Sequence, residues 1–76
     1  MNIDDFQQQI ESIETHILFD FNGKSCGVDP LSKTEYDVWC GTDYETVDSA
    51  EKVMSVPIFD GQSLSDVFDR IKNIDY

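Results

Sequence analysis

His16-Ile17-Leu18-Phe19-Asp20-Phe21-Asn22-Gly23-Lys24-Ser25-Cys26-Gly27-Val28 reads as two strands around one turn. Asn-Gly suits the two-residue loop of a type I′ hairpin, where both central residues need positive φ, and the residues before it are β-branched or aromatic. With Asn22 and Gly23 as the loop, antiparallel counting sets Phe21 opposite Lys24, Phe19 opposite Cys26 and Ile17 opposite Val28. One face of the pair is then apolar throughout, apart from Lys24 at its end.

Toward the C-terminus the second strand is predicted to stop near Asp29-Pro30, because proline has no N–H to give a ladder. Leu31 to Thr34 then form the connection, and a third strand runs from Glu35 to about Cys40. Placing Asp29 opposite Glu35 puts Tyr36, Val38 and Cys40 on the face that holds Cys26 and Val28. A slip of one residue would bury Glu35 and Asp37 instead, so the hydrophobic pattern selects this parity.

Upstream, Ile3, Phe6, Ile10, Ile13 and Ile17 recur in steps of three and four, which predicts an amphipathic helix over about Ile3 to Glu14, with Asp4 and Asp5 complementing the dipole of its first turn. Downstream, Gly41-Thr42-Asp43 opens a loop. Thr46 or Asp48 is expected to cap a short helix reaching about Met54, with Val47, Ala50, Val53 and Met54 inward, and Pro57 ends it. Ile58-Phe59 is a brief extended segment before a turn at Asp60-Gly61. Ser63 then caps a last helix whose Leu64, Val67, Phe68, Ile71 and Ile74 keep the helical period. The expected fold is α+β: one domain over residues 1–76, a three-stranded antiparallel meander in the order α-β-β-β-α-α, with the helices on one face as a two-layer sandwich.

The other face of that sheet would display Leu18, Asp20, Ser25, Gly27, Asp29, Glu35, Asp37 and Trp39, two large apolar groups among carboxylates. In the assumed register Trp39 opposes Ser25 and lies diagonal to Gly27, so the indole can cross the glycine backbone. Trp39 then either shields that glycine, or lies beneath a Gly41 to Phe59 segment folded over it, or anchors a recognition surface. For recognition the candidate partner-binding residues are Leu18, Asp20, Asp37 and Trp39, an aromatic ringed by acids that would seat a basic, partly apolar protein surface.

Composition narrows the alternatives. Sixteen Asp and Glu against five Lys and Arg give a formal charge of -11. The five cations are scattered, so the basic footprint of a direct nucleic-acid binder is missing. A special case is an acidic inhibitor that imitates nucleic acid, which requires carboxylates spaced like phosphates along an elongated surface. No charged leader precedes an apolar stretch and no run is long enough to span a bilayer, which leads to the expectation of a cytoplasmic protein without membrane attachment.

Nothing in the chain assembles a catalytic set, and the expectation is a noncatalytic domain without cofactor or metal. Cys26 and Cys40 lack Cys-x-x-Cys spacing and read as buried reduced thiols, inert in an apolar setting. His16, the only histidine, sits at the helix-to-strand junction and reads as structural. Asp20 to Ser25 fails as a calcium loop, because Gly23 falls fourth where an EF-hand needs glycine sixth. Asp43, Glu45, Asp48 and Glu51 read as a solvated acidic run. Gly61-Gln62-Ser63-Leu64-Ser65 lacks the final glycine of a nucleophile elbow. The leading expectation is therefore a protein-interaction or regulatory domain. The alternative is a small-ligand or cation module using Gly41 to Gln62, with Tyr44, Glu45, Asp60 and Gln62 around a mouth. The Trp39 patch is also one that would close a symmetric homodimer.

Overall fold

Two residues with left-handed backbone, Asn22 at φ 51° and Gly23 at φ 75°, turn the chain between β1 (Ile17–Phe21) and β2 (Lys24–Ser32). Both signs are those a type I′ loop demands, and the register is the expected one, Phe21 opposite Lys24 through Ile17 opposite Val28. The computed structural model describes residues 1–76, and its sheet continues through β3 (Glu35–Cys40), β4 (Asp43–Val47) and β5 (Lys72–Asp75). The strand order is β4-β3-β2-β1-β5, antiparallel at every pairing. Each neighbouring pair from β1 to β4 is joined by only two residues: Asn22-Gly23, Lys33-Thr34 and Gly41-Thr42.

The sheet thus has five strands, not three, a four-stranded meander β1 to β4 with β5 added at the free edge of β1, and the differences have physical causes. Pro30 does not end β2. It sits beside a bulge at which Leu31 has no partner, between the pairs Pro30 with Tyr36 and Ser32 with Glu35, and a bulge is a place where a strand tolerates proline. Asp29 faces Asp37 rather than Glu35, a shift of two residues that preserves which side chains point inward. As a result Trp39 stands directly opposite Gly27, not Ser25. Asp43 to Val47, expected as loop, adds β4 beside β3, with Trp39 opposite Tyr44 and Tyr36 opposite Val47.

Three α-helices cover one side. Asn2 caps α1 (Ile3–Glu11), its Oδ1 accepting from the Asp5 N–H at 2.8 Å. The helix stops three residues short of the expected Glu14, because Ile13 swings to φ 49° and leaves its side chain exposed. Ser49, rather than Thr46 or Asp48, caps α2 (Ala50–Ser55) through the Lys52 N–H, since Thr46 belongs to β4. Ser63 caps α3 (Leu64–Val67) as expected, by accepting from the Asp66 N–H. That helix ends far earlier than Ile74. A 3-10 turn at Phe68–Arg70 intervenes, and the chain becomes β5 along the free edge of β1.

Sixteen buried residues form one core between sheet and helices. From the sheet come Ile17, Phe19, Phe21, Cys26, Val28, Tyr36, Val38 and Cys40, all expected on this face; Phe6, Ile10, Val53, Met54, Leu64 and Val67 answer from the helices. Phe19 links two aromatic rings from the covering layer. The Phe6 ring meets it edge-on at 5.9 Å, and Phe59 stacks on it at 6.0 Å. No polar side-chain atom is buried without a partner, so nothing in the core opposes its packing.

Candidate interaction surface

With every helix on one side, the other side of the sheet is left open, and alternation decides what it shows. Register aligns Asp75, Leu18, Gly27, Trp39 and Tyr44 in one row across all five strands. Leu18 is 38% exposed, Tyr44 is 60% exposed and Trp39 is half-buried. The indole accounts for the burial of Gly27, since a β-carbon at that position would lie 2.4 Å from its Cζ2. The segment from Gly41 to Phe59 does not cover Trp39: its first part extends the sheet as β4, and α2 packs on the opposite side.

Carboxylates flank the row on both sides. Asp29 pairs with Asp37, which accepts from the Thr46 hydroxyl at 2.8 Å; that hydroxyl also lies 3.1 Å from the Tyr44 hydroxyl. On the other flank Asp20 stands opposite Ser25 on β2 and Lys72 on β5, and accepts from the Asn73 amide at 2.9 Å. Of the four residues expected on the surface, Leu18 and Trp39 share the central row, while Asp20 and Asp37 lie on opposite flanks. Sequence reasoning assigned Tyr44 to a ligand mouth and not to this surface, which it joins only because β4 exists.

Beyond this face the cations are partly engaged. Lys24 and Asp60 form an ion pair, with the Asn22 amide donating to the same carboxyl at 2.7 Å. Lys24, then Asn22, hold the Asp60 carboxyl below its ordinary value, and the same bond to Asp60 raises Lys24. Lys52 meets Asp48 at 2.9 Å one helical turn away. Arg70 hydrogen-bonds Gln62 and lies 5.9 Å over the Phe21 ring.

Tyr44, Glu45, Asp60 and Gln62 do not share a cavity: Tyr44 and Glu45 lie on β4, whereas Asp60 and Gln62 bond to Lys24 and Arg70. The largest hollow, about 530 Å³, is open to solvent between the β2–β3 turn and α2, lined by Thr34, Glu35, Thr46, Val47, Asp48 and Lys52. No cluster of three or more His, Cys, Asp or Glu side chains is arranged to hold a metal ion. His16 is exposed while both cysteines are buried. No helix is long and apolar enough to cross a membrane. Compared with family models, with curated proteins and with solved structures, the chain matches none.

Proposed function

We propose that this chain is a noncatalytic protein-interaction or regulatory domain that presents the open, acidic face of its sheet around Trp39 to a basic protein partner. The observation that carries this reading is the row of Leu18, Trp39 and Tyr44, uncovered by any helix and flanked by Asp20, Asp29 and Asp37. Large aromatic groups supply contact area at small entropic cost, and the surrounding carboxylates favour Lys and Arg on the facing surface. A charge of -11 speeds the approach of a basic partner and disfavours direct contact with nucleic acid or anionic lipid.

The test is titration of Trp39 fluorescence with lysine-rich peptides of defined sequence, together with affinity capture at low and high salt. Because Trp39→Ala also uncovers Gly27, the informative baits are Tyr44→Ala and Asp37→Asn. Retention of a basic protein that weakens with salt and with both substitutions supports the reading. Baits indistinguishable from wild type would remove this face from consideration, and a concentration-dependent dimer abolished by Tyr44→Ala would assign it to self-association.

A further inference from the structure

Cys26 and Cys40 stand directly opposite each other on β2 and β3. The Gly41 N–H donates to the Ser25 carbonyl at 2.9 Å. Ser25 and Gly41 are therefore the hydrogen-bonded pair, and the alternation of an antiparallel ladder makes Cys26 and Cys40 a non-hydrogen-bonded one. In such pairs the Cα atoms approach to about 4.5 Å, within the span a disulfide bridges. The two Sγ atoms are 2.9 Å apart, both are free thiols, and each residue is only 1% exposed.

We propose that Cys26 and Cys40 form an oxidisable dithiol that closes reversibly into an intramolecular cross-strand disulfide, with a small peroxide or glutathione disulfide as oxidant. Desolvation, then the neighbouring Cys40 sulfur, pushes the Cys26 thiol up to about 12, so Cys26 keeps its proton at neutral pH. Cys40 ends β3 and borders the Gly41-Thr42 turn, against which the aliphatic part of the Lys24 side chain packs, so of the two thiols it lies next to the segment that opens most readily. Oxidation therefore begins at Cys40 when that turn frays. With hydrogen peroxide the Cys40 thiolate attacks one oxygen, the O–O bond breaks, and hydroxide leaves a sulfenic acid. The Cys26 sulfur then displaces the sulfenic oxygen, which departs with the Cys26 proton as water. With glutathione disulfide, Cys40 displaces one glutathione and Cys26 the second, and both leave as thiols after taking up the two protons.

The experiment treats the reduced, folded full chain with hydrogen peroxide or glutathione disulfide, quenches in acid, alkylates under denaturing conditions and measures intact mass. The expected product is a monomer lighter by two hydrogens that takes up no alkylating label. Its melting temperature rises by roughly 10 °C or more, because the closed loop is short but the domain is small. Dithiothreitol restores both thiols and the original melting point, and neither Cys26→Ser nor Cys40→Ser gives this product. The proposal fails if both thiols of the folded chain remain alkylatable where the urea-unfolded chain oxidises. It fails equally if oxidation stops at sulfinic acids, glutathione adducts or covalent dimers, or if closure lowers the melting temperature.

Discussion

Trp39 and Gly27 face each other across the β2–β3 ladder, and the indole fills the space that any side chain at position 27 would occupy. A β-carbon there would lie 2.4 Å from Cζ2, 2.7 Å from Cη2 and 2.8 Å from the Ile17 carbonyl oxygen. The ring can swing away but the carbonyl belongs to the backbone of β1. Gly27→Ala is expected to cost about 1–3 kcal/mol in urea unfolding, as overpacking does. In a Trp39→Ala background the cost falls without vanishing, and a double-mutant cycle reads the difference.

Asp60 joins the turn before α3 to the β1–β2 hairpin, and its ion pair with Lys24 makes stability depend on pH at both extremes. Because its carboxyl is held low in the folded state, its contribution is complete above the ordinary carboxylate value and is lost as pH falls through the folded one. Lys24 is raised above 10.5, so its contribution is complete below that value and is lost as pH climbs through the raised one. Urea midpoints across pH should show Asp60→Asn flattening part of the acid limb and Lys24→Met part of the alkaline one.

Helix caps offer a third check. Ser49→Ala and Ser63→Ala each leave a first-turn N–H without its side-chain acceptor and should cost about 1 kcal/mol. Asp48→Ala removes only an exposed pair one turn from Lys52 and should leave the urea midpoint unchanged.

Asn73 holds φ 56° inside β5 and donates to Asp20. Asn73→Ala should destabilise by about 1–2 kcal/mol, the cost of left-handed backbone for an ordinary L-residue, whereas Asn73→Gly should be milder. Amide exchange would locate the loss, with protection falling along the β1–β5 ladder before it falls in β2 and β3.

The β1–β2 hairpin was legible because Asn22 and Gly23 fit the turn chemistry and the alternation beside them is clean. The inward face of β3 was legible for a different reason: its pairing with β2 differs from expectation by two residues, and a period of two forgives an even error. β4 was not legible. Its core-side positions are Asp43, Glu45 and Val47, so an edge strand overhanging the core has no apolar alternation to read. β5 was hidden by its bulge, at which Asn73 and Ile74 together oppose Phe19. In a regular strand Ile71 and Ile74 would point to opposite faces. One extra residue lets both pack toward the core, and the resulting spacing of three imitates a helix. The candidate surface inherits the same asymmetry, with Leu18 and Trp39 placed by parity and Tyr44 assigned elsewhere until β4 is known.

The two-residue turns have a kinetic meaning. Strands β1 to β4 can zip from neighbours in the chain, each hairpin on the order of microseconds, but β5 must return to β1 across the whole of β2, β3, β4 and the helical segment. Pairing of that kind carries a loop-closure cost before it gains any contact, so β5 is the last strand to dock and the first to leave. When it leaves, β1 becomes a bare edge with Leu18 beside it. The C-terminal strand thus acts as a latch, which closes the free edge of β1 only while it stays docked.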